Sequence, residues 1–189
     1  MNATTITAIG ISGSPSARSK SRRLLEHTLS LLGERGAATS LVDLAVLPAA
    51  ALLGRERSPD VDAALAAVSG ATIVVASTPV YRATYSGLLK VFFDLLAPDS
   101  LVGKTAIAIA TGGAPAHQLA IDYGLRPLFS SVGALTVPTA VYGTDASFSG
   151  ETPNGSLLGR LEKAADEAIA LAERIRPPAS ASSPATLER

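Results

Sequence analysis

The chain has 189 residues, with sixteen Lys and Arg against sixteen Asp and Glu, so its formal net charge is zero. That balance excludes the broad positive field on which general nucleic-acid binding depends, and the length fits one domain with a sizeable core. There is no cysteine, which excludes disulfide scaffolds, thiolate metal sites and cysteine nucleophiles; His27 and His117 lie far apart without acidic partners at zinc-site spacing, so no metal site is expected.

Met1 to Thr5 lacks the cationic start and long apolar segment of an export signal. No apolar run approaches the roughly 20 residues that cross a bilayer, and a cytoplasmic protein without membrane contact is expected. Ile6 to Ile11 predicts a short apolar strand. Arg22 to Leu32 predicts a helix, with Leu24, Leu25, Thr28, Leu29 and Leu32 at helical spacing and Gly33 and Gly36 ending it. Between them runs Ser12-Gly13-Ser14-Pro15-Ser16-Ala17-Arg18-Ser19-Lys20-Ser21, a loop dense in hydroxyls and cations. Where a strand hands over to a helix, free backbone N–H groups and the helix dipole favour an anion, and such side chains complete a phosphate cradle. The same composition also suits an ordinary solvated turn, so the loop alone leaves both readings open.

Thr39 to Leu44 predicts the second strand, and Ala45 to Ser58 a loop with room for a helical turn. Pro59-Asp60 starts a short helix carrying Val61, Leu65 and Val68. Ile73-Val74-Val75-Ala76 is a continuous apolar run, the pattern of a central strand covered on both faces. Further on come a helix over Ser86 to Leu96, a fourth buried strand over Thr105 to Ala110 and a helix over His117 to Val132. Leu135 to Val141 predicts the fifth strand and Leu157 to Ile175 a long amphipathic helix. Lys90 and Asp94, four apart, read as a surface ion pair. Phe92, Phe93, Leu119 and Phe129 read either as core or as apolar contact surface. The Pro, Ala and Ser content after Arg176 reads as a mobile tail, giving a domain over 1–176 and a tail over 177–189.

Strand alternating with helix calls for an α/β fold: a doubly wound, five-stranded parallel sheet with helices on both faces and right-handed crossovers. In such sheets ligands bind beyond the carboxyl ends of the strands at the topological switch point. The candidate site therefore comprises the loops Ser12 to Ser21, Ser77 to Gly87 and Thr111 to Ala116, all rich in Ser, Thr, Gly and Pro.

Three stretches, each directly after its own strand, carry a resemblance. They are Gly13-Ser14-Pro15 with Ser19, Lys20 and Ser21; Thr78 to Lys90, reading TPVYRATYSGLLK; and Thr111-Gly112-Gly113 with Ala116-His117. Together they resemble the NADPH-dependent FMN reductase family of the flavodoxin-like fold, over Thr5 to Arg176. The run Ala116 to Leu128, AHQLAIDYGLRPL, is similar to the alkanesulfonate-linked reductases of that family, which supply reduced FMN to a separate monooxygenase. The resemblance implies that Ser14, Ser19, Lys20 and Ser21 hold the flavin phosphate. It implies that Pro79, Val80, Tyr81 and Arg82 line the ring edge, with Ser86, Thr111, Gly112 and Gly113 completing the cofactor contacts. It also makes Tyr123 the position of a π-helical bulge at a subunit interface, whereas read alone Tyr123 covers the core with its hydroxyl outward. Pro79 and the two glycines also shape turns, and Arg18 and His117 read first as a solvated arginine and a structural histidine.

The implied activity is NAD(P)H-dependent reduction of FMN by hydride transfer, with NADPH or NADH as donor and FMNH2 delivered to a flavin-dependent monooxygenase. Such chemistry needs ring alignment rather than a side-chain nucleophile, so no catalytic side chain is expected. A homodimer or homotetramer is implied as well. Two alternatives are an FMN-containing quinone or azo reductase and a non-catalytic flavodoxin-like electron carrier; balanced charge and few aromatics count against the carrier.

Overall fold

The computed structural model describes residues 5–175; the expected tail over 177–189 lies outside the described residues. β1 (Thr7–Ser12) leads into α1 (Lys20–Glu34), whose N-cap Ser19 accepts a hydrogen bond from the Arg22 amide. β2 (Ala38–Asp43) is followed by a 3-10 turn (Leu44–Val46) and α2 (Ala49–Leu52), so the expected loop contains two short helical turns. α3 (Pro59–Gly70), β3 (Ile73–Pro79), α4 (Gly87–Asp94) and β4 (Thr105–Thr111) come next. Pro59 sits in the first turn of α3, where its missing N–H costs nothing.

The sheet runs β2-β1-β3-β4, with every neighbour parallel, so β3 is central as its unbroken apolar run requires. Alternate residues point to opposite faces. On one face Ala8, Ile73, Val75, Ile107 and Ile109 pack under α1 and a long C-terminal helix, through Leu24, Leu25, Leu32, Leu157 and Leu161. On the other, Ile9, Ile11, Val74, Ala76 and Ala108 meet α3, α4 and the helical segment after β4. Phe92, Phe93 and Phe129 are core, with Phe93 and Phe129 edge to face at 5.6 Å, whereas Leu119 is exposed. Burying each such side chain contributes about 1.5–3 kcal/mol. Lys90 and Asp94 form the expected surface pair.

Two expected elements are interrupted. The helix over His117 to Val132 is instead a 3-10 turn (Pro115–Gln118), a π-helical turn (Ile121–Leu125) and α5 (Arg126–Ser131). Tyr123 lies in the π turn, 82% exposed. The fifth strand is split into β5 (Leu135–Thr136) and β6 (Val141–Gly143), both pairing with β4. Val137, Pro138, Thr139 and Ala140 stand opposite only Ile107 and Ala108, so the edge bulges out. Pro138 has no N–H to donate to the ladder. Side chains take over: Arg126 donates to the Val137 and Pro138 carbonyls at 3.0 and 2.6 Å, and Arg160 to that of Ala140 at 2.7 Å. Glu167 accepts from the amide and hydroxyl of Thr139, each at 2.8 Å. The sheet thus keeps five strand positions, the fifth filled by two segments.

After β6 a 3-10 turn (Asp145–Ser147) and a small hairpin of β7 (Phe148–Ser149) and β8 (Thr152–Pro153) precede α6 (Gly155–Ile175), the long helix of the first face. Among the described residues, no helix is long and apolar enough to cross a membrane.

Candidate active site

At the carboxyl rim of the sheet, backbone bonds lace neighbouring loops together. The Gly13 amide donates to Ser77 O at 2.8 Å, Val80 to Thr111 O at 2.7 Å and Gly112 to Gly143 O at 3.0 Å. Each bond runs from the residue just past one strand to a carbonyl among the last residues of the neighbouring strand, so the loops after β1, β3, β4 and β6 start from one laced rim. A cavity of about 220 Å³ opens on it, lined by Lys20, Pro79, Val80, Tyr81, Thr111, Gly112, Gly113, Gly143, Thr144 and Asp145.

The sequence-predicted residues divide into three groups here. Lys20, Pro79, Val80, Tyr81, Thr111, Gly112 and Gly113 come together in the cavity wall. Ser14, Ser19, Ser21 and Ser86 are buried below the rim and bonded to protein. Ser19 and Ser21 share a hydroxyl–hydroxyl bond of 2.8 Å, and Ser14 Oγ accepts from the Ser16 amide at 3.2 Å. Ser86 ties the first loop to the second: its Oγ donates to the Gly13 carbonyl and accepts from the Leu89 amide, capping α4, while its own amide donates to Thr78 Oγ1. Arg82 and Tyr123 are exposed and stand outside the cavity wall.

The glycines are placed by close approach. A Cβ on Gly13 would lie 2.8 Å from Leu89 Cβ and 3.0 Å from Ser77 O, and one on Gly112 would lie 2.6 Å from Tyr142 Oη. The second loop turns at Arg82 and Ala83, with φ of +50° and +68°, and closes through paired bonds between Tyr81 and Thr84. Two consecutive non-glycine residues in the left-handed region store strain of about 1–3 kcal/mol each, held here beside the cavity.

Sequence reasoning missed Tyr142 and the segment from Gly143 to Asp145. Tyr142 Oη donates to Ala114 O at 2.6 Å, and burial pushes its phenol pKa up from the ordinary value. The rule that placed the site at the strand ends applies equally to β6 and points to these residues. Lys20 Nζ lies 2.8 Å from Asp145 Oδ1 and 5.1 Å above the centre of the Phe148 ring.

Chemically the cavity wall offers one cation, hydroxyl and amide donors, and small residues that admit a flat ring. Ser12 Oγ and Ser77 Oγ, neighbours in the β1–β3 register, are buried without a hydrogen-bond partner among the described residues. Both lie beneath the rim, outside the cavity wall. The cation, hydroxyls, amides and small residues of the wall itself fit a planar ligand carrying a phosphate.

The family model for NADPH-dependent FMN reductases matches residues 6–148. The chain belongs to that family. It is 37% identical over 177 residues to an FMN reductase (NADPH) of Pseudomonas putida, covering 89% of this chain and 90% of the relative. Among solved structures it resembles the apo form of the NADH:FMN oxidoreductase EMOB, with a TM-score of 0.82, 33% identity and 92% of each chain covered. A flavodoxin of Streptococcus pneumonia TIGR4, at 16% identity and a TM-score of 0.58, shares the fold over 88% of this chain and 99% of its own. The family member described here is thus an oxidoreductase on a flavodoxin-like α/β scaffold.

Proposed function

We propose that this reductase binds FMN across the rims of β1, β3 and β4, reduces it with NADPH or NADH, and releases it reduced to a flavin-dependent monooxygenase. The observation that carries the reading is the convergence of seven sequence-predicted residues from three separate loops on one cavity. In this reading the phosphate meets the first loop, where Lys20 supplies charge and the α1 N-terminus supplies amide donors. The buried serines act beneath it, fixing the loop's shape through their mutual bonds rather than by touching the ligand. The ring lies against Pro79, Val80 and Tyr81 on one side and Gly112 and Gly113 on the other.

FMN, when bound, supplies the hydride-accepting chemistry. The chain's part is to stack the two rings and to aim backbone donors of the second and third loops at the charge that develops. An open rim with many modest contacts suits a flavin that leaves. Tyr123 and Leu119, both exposed on the helical segment after β4, are proposed to meet a second copy in a homodimer or homotetramer.

Initial rates with FMN, FAD and riboflavin against both nicotinamides test this reading. FMN is expected to be favoured over riboflavin in KM by about tenfold or more, since a hydrogen bond to a charged group contributes about 1.5–3 kcal/mol. Indifference to the phosphate would remove the first-loop assignment. On gel filtration the flavin is expected to separate from the protein; co-elution at one flavin per chain would favour a quinone or azo reductase with a prosthetic flavin.

A further inference from the structure

We propose that Asp145 is a built-in competitor for the flavin phosphate, a carboxylate that holds Lys20 and must be displaced from it when the phosphate arrives. The proposal rests on the reading that the phosphate meets the first loop. Lys20 opens α1 inside that loop, and its ammonium bonds Asp145 Oδ1 at 2.8 Å. Both side chains line the cavity that the second and third loops complete. The other cations nearby do not share this position. Arg22 is committed to Glu26 and Asp43, and Arg23 to Glu151, while Arg18 is exposed and does not line the cavity.

Asp145 makes no second side-chain bond among the described residues. Its place is fixed by backbone instead: it opens a 3-10 turn capped reciprocally by Thr144 and Ser147. The residue is therefore held at the cavity edge whether or not Lys20 stays with its side chain. The lysine can leave, because its ammonium is a compact charge on a flexible stem with three rotatable donors. Its side chain is 36% exposed and that of Asp145 85%, so the pair is of the weak, exchangeable kind.

A phosphate dianion entering this cavity takes the ammonium and meets the freed carboxylate as a like charge. Both effects lower FMN affinity, and neither acts on riboflavin, which lacks the phosphate. Asp145 thus tunes the site toward a flavin that exchanges.

The test is titration of the flavin-free full chain with FMN and with riboflavin, followed by flavin fluorescence, for wild type, Asp145→Asn and Asp145→Glu. Wild type is expected to bind FMN more tightly than riboflavin. If it does not, the first-loop assignment itself fails, and the inference with it. Given that discrimination, Asp145→Asn is expected to tighten FMN about two- to fivefold, the size that exposed ion pairs reach, with riboflavin unchanged. Asp145→Glu, which keeps the charge, is expected to stay near wild type for both. An unchanged or weakened FMN affinity in Asp145→Asn, or an equal shift for both flavins, would overturn the inference while leaving the first-loop assignment standing.

Discussion

Beside β1 the rim is held from within, whereas beyond β4 it is held from outside. The first loop rests on buried serines bonded to one another and on the Ser86 link to Gly13. The outer edge is a broken strand and a π turn, stapled by partly exposed Arg126 and by Arg160 and Glu167. Buried bonds resist opening because an unpaired partner is left away from water, while a carbonyl at the surface finds water instead. The difference teaches where the chain fixes its geometry: at the end read as the phosphate site, and not at the face read as a contact between copies.

The largest expected effect lies on the locked side. Gly13→Ala forces a Cβ against Leu89 and the Ser77 carbonyl, an overpacking that costs about 1–3 kcal/mol. Urea unfolding is expected to register that loss, and FMN titration a loss of binding with it. Wild-type stability would show that the first loop is looser than described.

Next comes Ser86→Ala, which removes the α4 cap and the donor to Gly13 together. A lost cap costs about 0.5–2 kcal/mol. Combined with Gly13→Ala it is expected to cost less than the sum, because both act on one contact; strict additivity would separate the two loops.

Arg126→Ala tests the outer edge. It strips bonds from the Val137 and Pro138 carbonyls and from Asp122, and a loss of about 1 kcal/mol is expected. Hydrogen exchange should quicken across the π turn and residues 137–140 while FMN affinity holds. A parallel loss of FMN binding would join the two regions. Smallest of all is Tyr123→Ala, exposed enough that stability should move by no more than about 0.5 kcal/mol. Sedimentation is where it should register, as a lighter particle.

Continuous apolar runs at Ile73 and Thr105 made the parallel order and its central strand legible, and the strand-end rule then located the first three loops. Hydroxyl content marked the first loop, but composition does not say which partner a hydroxyl takes: Ser19 and Ser21 bond each other, Ser14 bonds the backbone of Ser16, and Ser86 of the second loop bonds Gly13. The fifth strand expected unbroken over Leu135 to Val141 ran through Pro138, a residue that cannot donate to a ladder; the compensation of the break lay beyond local sequence, since Arg126, Arg160 and Glu167 come from other elements. Ala120, Ile121, Gly124 and Leu125 suit an ordinary helix as well as a π turn, so spacing was silent there and only the family resemblance pointed to the bulge at Tyr123.

A crystal of the protein with FMN tests the central claim most directly. The phosphate is expected beside Lys20 at the N-terminus of α1, with the ring between Pro79–Tyr81 and Gly112–Gly113. Density for the flavin away from these loops, or for a phosphate pointing out of the first one, would contradict it.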